Sequence, residues 1–319
     1  MKRKQSFDIM KGIGIIAMIV GHICSPEVGR YIYLWHMPLF FLISGYFFRE
    51  KGMKDCLKSN TKSLLIPYML TAILLTLFKI ALVFSGHDGS VTNALLSIFV
   101  GAESIQNSCF SDYQIGAIWF LLALFWCRTI FNYLSTRYSR GGIFAISIIA
   151  TYLGTKIFIP TNLLQGLSAM TFFMIGDEVK KRDLLVKKTT PTIWILGSFT
   201  IILSATTSSI SMATCDYGYY PVNVLGAVFA TYFIYHFSLT IAKYKISIVL
   251  SFWGRISLLI LCIHLLDIKL GFASAISKRI FVDFAFADCF NVCLHIAIPL
   301  LLSAMLYKCG LIRNIFQLK

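Results

Sequence analysis

Apolar runs follow one another along this chain, with short basic clusters between them, and no other feature constrains the fold as strongly. A helix needs about 20 apolar residues to cross roughly 30 Å of hydrocarbon. Such runs fall at 9–25, 30–48, 63–84, 115–134, 142–158, 163–179, 191–209, 222–242, 256–273 and 286–307. One more, 92–102, is short and lies inside a connecting stretch from 85 to 114, so it reads as a re-entrant or surface helix. Apolar residues make up 57% of the 319 and charged residues only 13%. A water-facing surface needs about twice that charged fraction. The expected fold is therefore all-α, a polytopic helix bundle with about ten transmembrane helices. No repeat or low-complexity tract divides it, and residues 1–319 read as one domain.

The formal net charge of +15 does not point to nucleic acid, because the basic residues are spread between apolar runs instead of covering one face. Their placement tests the span count. With the N-terminus cytoplasmic, one side receives Lys2, Arg3 and Lys4; the cluster from Arg49 to Lys62; Arg137 and Arg140; the cluster from Lys180 to Lys188; Lys243 and Lys245; and Lys308, Arg313 and Lys319. The other side receives Arg30, Lys156, Lys278 and Arg279. Twenty against four is a strong positive-inside bias. Counting 92–102 as a span would invert every later loop and erase it. Ten spans with both termini cytoplasmic, in the plasma membrane, are the expectation.

Nine cysteines are scattered, mostly within apolar runs, and read as small buried hydrophobes. No set of residues has metal-site spacing; a disulfide between external Cys109 and Cys215 is an unsupported alternative. Tyr217, Tyr219 and Tyr220 fit an interfacial aromatic belt. Basic residues ahead of the first run look like a signal peptide. No small-residue cleavage site follows, so that run is expected to be retained as a span.

Within the first run, "KGIGIIAMIVGH" separates Lys11 from His22 by ten uncharged residues. Eleven helical steps advance about 16 Å over three turns, which puts both side chains on one face. Ile15, Met18 and Ile19 lie between them, and Gly12, Gly14 and Gly21 allow neighbouring helices to approach closely. His36, on the returning second span, comes at a depth similar to His22. Ionisable groups inside a bilayer are costly and tend to face cavities. A polar passage with a cation at its inner mouth and imidazoles near its outer end is the reading that uses all three. The plainer reading is a snorkelling lysine and two helix-packing histidines.

At these residues the chain resembles the integral-membrane acyltransferases of acyltransferase family three, especially the fucose 4-O-acetylase-like branch. The resemblance rests on "FDIMKGIGIIAMIVGH" (7–22), "WHMPLFFLISGYFF" (35–48), "LLIPY" (64–68), "IWFLLALF" (118–125) and "WGRISLLILCIH" (253–264). It implies about ten spans and transfer of an acyl group, usually acetyl, from cytoplasmic acyl-CoA to a hydroxyl of an extracytoplasmic or lipid-linked glycan. Acetyl-CoA would be a co-substrate, with no permanently bound cofactor. Partners would be the acyl-CoA, the acceptor and membrane lipids. The family's basic-residue-x10-His motif falls on Lys11 and His22, with lysine where arginine is common. Lysine keeps the charge without the bidentate fork. A basic pair ahead of the third span falls near Lys58 and Lys62. Some members carry an appended extracytoplasmic hydrolase-like domain. None is evident in these 319 residues, so a second transfer step would need a separate protein.

Acyl transfer to an alcohol needs a base near the hydroxyl and stabilisation of the tetrahedral intermediate. His22 is the expected base, since imidazole titrates near neutral pH, and His36 is expected to orient the acceptor or stabilise charge. Lys11, Arg255, Lys58 and Lys62 are candidates for the CoA phosphates. His264 and Asp267, three apart on one helix, form either an acceptor-side pair or a structural one. Trp119 lines the cavity or belongs to the aromatic belt, the belt being favoured. Asp177 and Glu178 read as solvated charges. A transporter of a small metabolite or lipid-linked sugar suits the same spans, although the two related halves typical of transporters are not seen.

Overall fold

The computed structural model describes residues 2–103, 114–185, 190–280 and 287–318. Helices account for nearly all of its regular structure; the only β pairing among the described residues is two isolated bridges, Ala102 with Gln114 and Ser211 with Asp216. In chain order the helices are α1 (Lys2–Ile23), α2 (Pro26–Tyr33), α3 (His36–Tyr46), α4 (Met53–Asn60), α5 (Ile66–Phe84), α6 (Val91–Val100), α7 (Trp119–Leu134), α8 (Arg140–Gly154) and α9 (Leu163–Ser168). They continue as α10 (Met170–Lys181), α11 (Pro191–Thr207), α12 (Tyr220–Ile241), α13 (Ile246–Arg255), α14 (Ser257–Leu270), α15 (Phe272–Ile280), α16 (Ala287–Leu306) and α17 (Gly310–Phe316). A π-helical turn, Thr61–Leu65, joins α4 to α5.

Among the described residues, three helical stretches are long and apolar enough to cross a membrane: Gln5–Ile23, Met53–Phe84 and Tyr220–Ile241. Two bent pairs bring that to five, α13 with α14 at 76° and Phe290–Leu306 with α17 at 107°. The expected run 30–48 is broken into α2 and α3 at Leu34–Trp35, and 163–179 is broken between α9 and α10. Runs 115–134, 142–158 and 191–209 appear as α7, α8 and α11, with 16, 15 and 17 residues. Such lengths reach about 24 Å at 1.5 Å per residue, short of a full crossing. Apolar composition marks where the chain is buried in lipid or protein; it does not mark where a helix turns or breaks. Run 92–102 forms the short helix α6, ended by Gly101 in the left-handed region (φ 73°).

Two crossings hold the centre. A methyl at Gly12 would collide with the Leu250 carbonyl oxygen, and one at Gly254 with the Asp8 carbonyl oxygen, so α1 and α13 touch backbone to backbone. Gly45 and Gly176 do the same for α3 and α10, against Phe173 and Leu42. Small residues allow this approach, which gains dispersion contacts where lipid supplies no hydrophobic drive. Between the two pairs α1 lies against α3, where Gly14 meets the Leu39 and Phe40 side chains, and the Tyr33 ring sits beside both His22 and His36.

Candidate functional site

A cavity of about 460 Å³ opens between α1, α3, α7 and α14. Lys11 and His22 both border it, with Ile15 and Met18 between them. The expected face of α1 is thus the cavity wall, except that Ile19 turns into the core and is fully buried. His36, Tyr33 and Trp119 border the His22 end's polar surface together with Glu103. Arg128 and Phe47 border both this cavity and a smaller hollow of about 130 Å³ that reaches Arg49 and Lys51. The cavity therefore leads towards the basic cluster after α3.

At the Lys11 end the charge is partly committed. Lys11 Nζ lies 2.7 Å from Asp8 Oδ1, and both side chains are about a quarter exposed. Arg128, on α7, is a second cation on the wall. Sequence reasoning missed it, although a charge within the apolar run 115–134 was itself a signal.

At the other end the groups are imidazoles. His22 Nδ1 lies 3.3 Å from His264 Nε2, and the rings stack with centroids 5.5 Å apart and planes 2° apart. One ring nitrogen must donate to the other. When His22 donates, its Nε2 keeps a lone pair, the state a general base requires. The His36 Nδ1–H donates to the Ile32 carbonyl at 3.1 Å, which leaves Nε2 as an acceptor. Tyr33 stands between them, its hydroxyl donating to Gly21 O at 2.7 Å.

Trp119 is buried on the cavity wall, so the preference for an interfacial belt is corrected. Its indole N–H is held by the Glu103 carboxylate. Glu103 belongs to the segment between α6 and α7, outside the spans, and sequence reasoning did not single it out as a site residue. Burial pushes its carboxyl up to about 7, against the opposing pull of the Trp119 hydrogen bond and the Lys269 charge. The left-handed Gly101 turns the chain inward, and the Asn162 amide fixes that turn through the Gly101 carbonyl at 2.7 Å.

Several expected residues lie elsewhere. His264 and Asp267 do not pair. Asp267 Oδ2 accepts from His295 Nδ1 at 2.6 Å and Oδ1 from the Ala273 amide at 3.0 Å. An imidazole arriving from α16 and a backbone N–H satisfy that carboxylate, while His264 turns to α1. Lys58 and Lys62 are exposed and border a separate surface hollow with Asp55 and Arg313. Arg255 is exposed at the α13–α14 bend, its guanidinium 6.0 Å from the Phe252 ring centroid, and does not border the cavity. Asp177 is not solvated: it is buried, with Arg140 at 2.5 Å and Lys181 at 2.9 Å, because α8 brings a guanidinium against α10. Of the belt tyrosines only Tyr219 is exposed. Tyr217 is buried with its hydroxyl 3.2 Å from Ser168, and Tyr220 reaches Thr171 at 2.7 Å. Cys215 is a buried thiol, and Cys109 lies outside the described residues. Among the described residues no group of three or more His, Cys, Asp or Glu is placed to hold a metal.

The chain is similar to two proteins called nodulation protein NolL. The one from Sinorhizobium fredii is 25% identical over 281 residues, covering 83% of this chain and 57% of that protein. The one from Mesorhizobium japonicum is 30% identical over 165 residues, covering 46% of this chain and 40% of that protein. The chain thus spans about half the length of the curated relatives it matches. No solved structure matches. The family model of acyltransferase family 3, described as an acyltransferase domain, matches residues 4–308. By that match over nearly its whole length, the chain belongs to acyltransferase family 3.

Proposed function

We propose that this chain is a ten-span O-acyltransferase of the plasma membrane, with both termini cytoplasmic, that moves a short acyl group, acetyl foremost, from cytoplasmic acyl-CoA to a hydroxyl of an extracytoplasmic or lipid-linked glycan. The observation that carries the reading is the single cavity bordered by Lys11 and Arg128 at one end and by His22 and His36 at the other. Acyl-CoA is an anion on a long neutral arm. Its phosphates suit the cations, and its arm matches the ~16 Å between the α1 residues. Lys58, Lys62 and Arg255, being outside the cavity, serve at most to gather the nucleotide portion at the cytoplasmic surface.

At the outer end His22 Nε2 takes the proton of the acceptor hydroxyl as its oxygen attacks the thioester carbonyl. Collapse of the tetrahedral intermediate expels the CoA thiolate, which takes the proton back from His22. His36 presents only an acceptor nitrogen, so it orients the acceptor through a second hydroxyl instead of stabilising the oxyanion. His264 is a positioning residue, holding the His22 ring through its 3.3 Å contact. The apolar walls at Met18, Phe40 and Leu261 keep water from hydrolysing the thioester.

The test is transfer of label from acetyl-CoA by purified full-length protein in detergent. His22→Ala is expected to abolish labelled product while the protein stays folded. Unchanged turnover in that variant removes His22 from the chemistry.

A further inference from the structure

Behind the His22–His264 pair, three helices bring together a serine, a histidine and an aspartate that the transfer chemistry does not use. Asp267 on α14 accepts from His295 Nδ1 at 2.6 Å, and His295 Nε2 lies 3.1 Å from Ser274 Oγ on α15. We propose that Ser274, His295 and Asp267 form a second acyl-handling centre in which Ser274 Oγ is the nucleophile and acyl esters or thioesters are the substrate class.

The contacts select the tautomer of the neutral ring. Asp267 accepts the hydrogen bond from Nδ1–H, so in the neutral imidazole Nε2 carries the lone pair and the Ser274 hydroxyl donates to it. That is the direction in which the proton moves when a serine attacks. Other helical hydroxyls, such as Thr71, Thr151 and Thr231, instead donate to the carbonyl four residues back. Asp267 and His295 are almost fully buried, whereas Ser274 is half-buried, between exposed Phe272 and Ala275. The base is shielded and the nucleophile is reachable. The arrangement is also held locally. Left-handed Gly271 (φ 68°) ends α14, and Asp267 Oδ1 takes the Ala273 amide, one residue before the serine. His264, which contacts His22, and Asp267, which contacts His295, are three residues apart on α14, so the two centres are neighbours.

In the step proposed, the Ser274 Oγ–carbonyl bond forms as the hydroxyl proton passes to His295 Nε2. The carbon–sulfur or carbon–oxygen bond of the donor breaks, and the leaving group takes that proton. An acceptor hydroxyl then attacks the serine ester, gives its proton to His295, and Ser274 Oγ recovers it as the ester bond breaks. The serine centre requires no CoA; it rests on the proposed transferase reading only for the source of its acyl group.

Full-length protein in detergent is treated with an alkyl fluorophosphonate, in which a serine oxygen displaces fluoride from phosphorus, and adducts are mapped by mass spectrometry. The expectation is one adduct on Ser274, absent in Ser274→Ala and formed at least tenfold more slowly in Asp267→Asn and His295→Gln, each confirmed folded by its thermal transition. No adduct on folded native protein overturns the proposal. So does native-rate labelling of Asp267→Asn and His295→Gln, since a merely exposed serine would behave that way. Acetyl-CoA turnover without Ser274 labelling is failure of this inference alone, and Ser274 labelling without turnover is failure of the transferase reading alone.

Discussion

The two ends of the central cavity differ in how their polar groups are satisfied. At the Lys11 end there are permanent charges, Lys11 with Asp8 beside it and Arg128 facing a hollow that reaches Arg49 and Lys51. At the His22 end there are neutral-capable imidazoles that hydrogen-bond to each other and to a backbone carbonyl, beside one enclosed carboxyl. Fixed cations bind phosphate whatever the protonation state of their surroundings, whereas a neutral imidazole with a free ring nitrogen can take a proton from a hydroxyl. The division of labour follows from residue type and enclosure.

Substitutions at the two ends should therefore fail differently. The largest effect is expected for His22→Gln, which keeps a polar side chain but loses the base: transfer should fall by ~10² to 10⁴, the usual contribution of general base catalysis, with acyl-CoA binding nearly unchanged in an equilibrium titration. If binding falls as far as turnover, the two ends are not separable. Next comes the packing that aligns them. Gly254→Val drives a side chain into the Asp8 carbonyl and should cost ~3 kcal/mol, as overpacking does, read as a lower thermal transition with loss of activity. Lys11→Ala should raise KM for acyl-CoA about tenfold with kcat within about twofold, a loss of ~1.4 kcal/mol of uniform binding. A fall in kcat at constant KM would move Lys11 into the chemistry.

Glu103 gives a pH signature at the outer end. Its folded-state carboxyl titrates about 7, above its ordinary 4.5. Across that window the folded protein holds a proton that the unfolded chain has released, so its contribution to stability falls as pH rises. Glu103→Gln should remove this slope: the native protein's transition temperature is expected to drop relative to the variant's between pH 4.5 and 7. Parallel profiles would mean that Glu103 is ionised throughout. The smallest effect is expected for Arg255→Ala, within ~0.5 kcal/mol in stability and near-native in turnover, because its guanidinium is exposed and outside the cavity.

What the sequence could reveal follows the range of each interaction. The all-helical class and the shared face of Lys11 and His22 depend on periodicity along one helix, and both were legible. The convergence of His36 on the same cavity was legible because it lies on the next apolar run. Residues gathered from distant elements were not. His264 was expected to face Asp267 at three-residue spacing, yet each took a partner from another helix, His22 and His295. Asp177 looked solvated because its neutralising Arg140 is 37 positions away. The helix break at Leu34–Trp35 interrupts apolar sequence with no glycine or proline to mark it, whereas the α13–α14 bend falls at Gly254, Arg255 and Ser257. Glu103 was hidden in a loop, and only the inward turn at Gly101 reveals its place.

The most direct test of the central claim is a cryo-EM reconstruction of the full chain with a non-hydrolysable acetyl-CoA analogue. The account predicts phosphate density against Lys11 and Arg128 and the acyl carbon within reach of an attacking oxygen held by His22, at about 3.5 Å from that oxygen. Analogue density confined to the Lys58–Lys62 surface hollow, with the space between Lys11 and His22 empty, would contradict it.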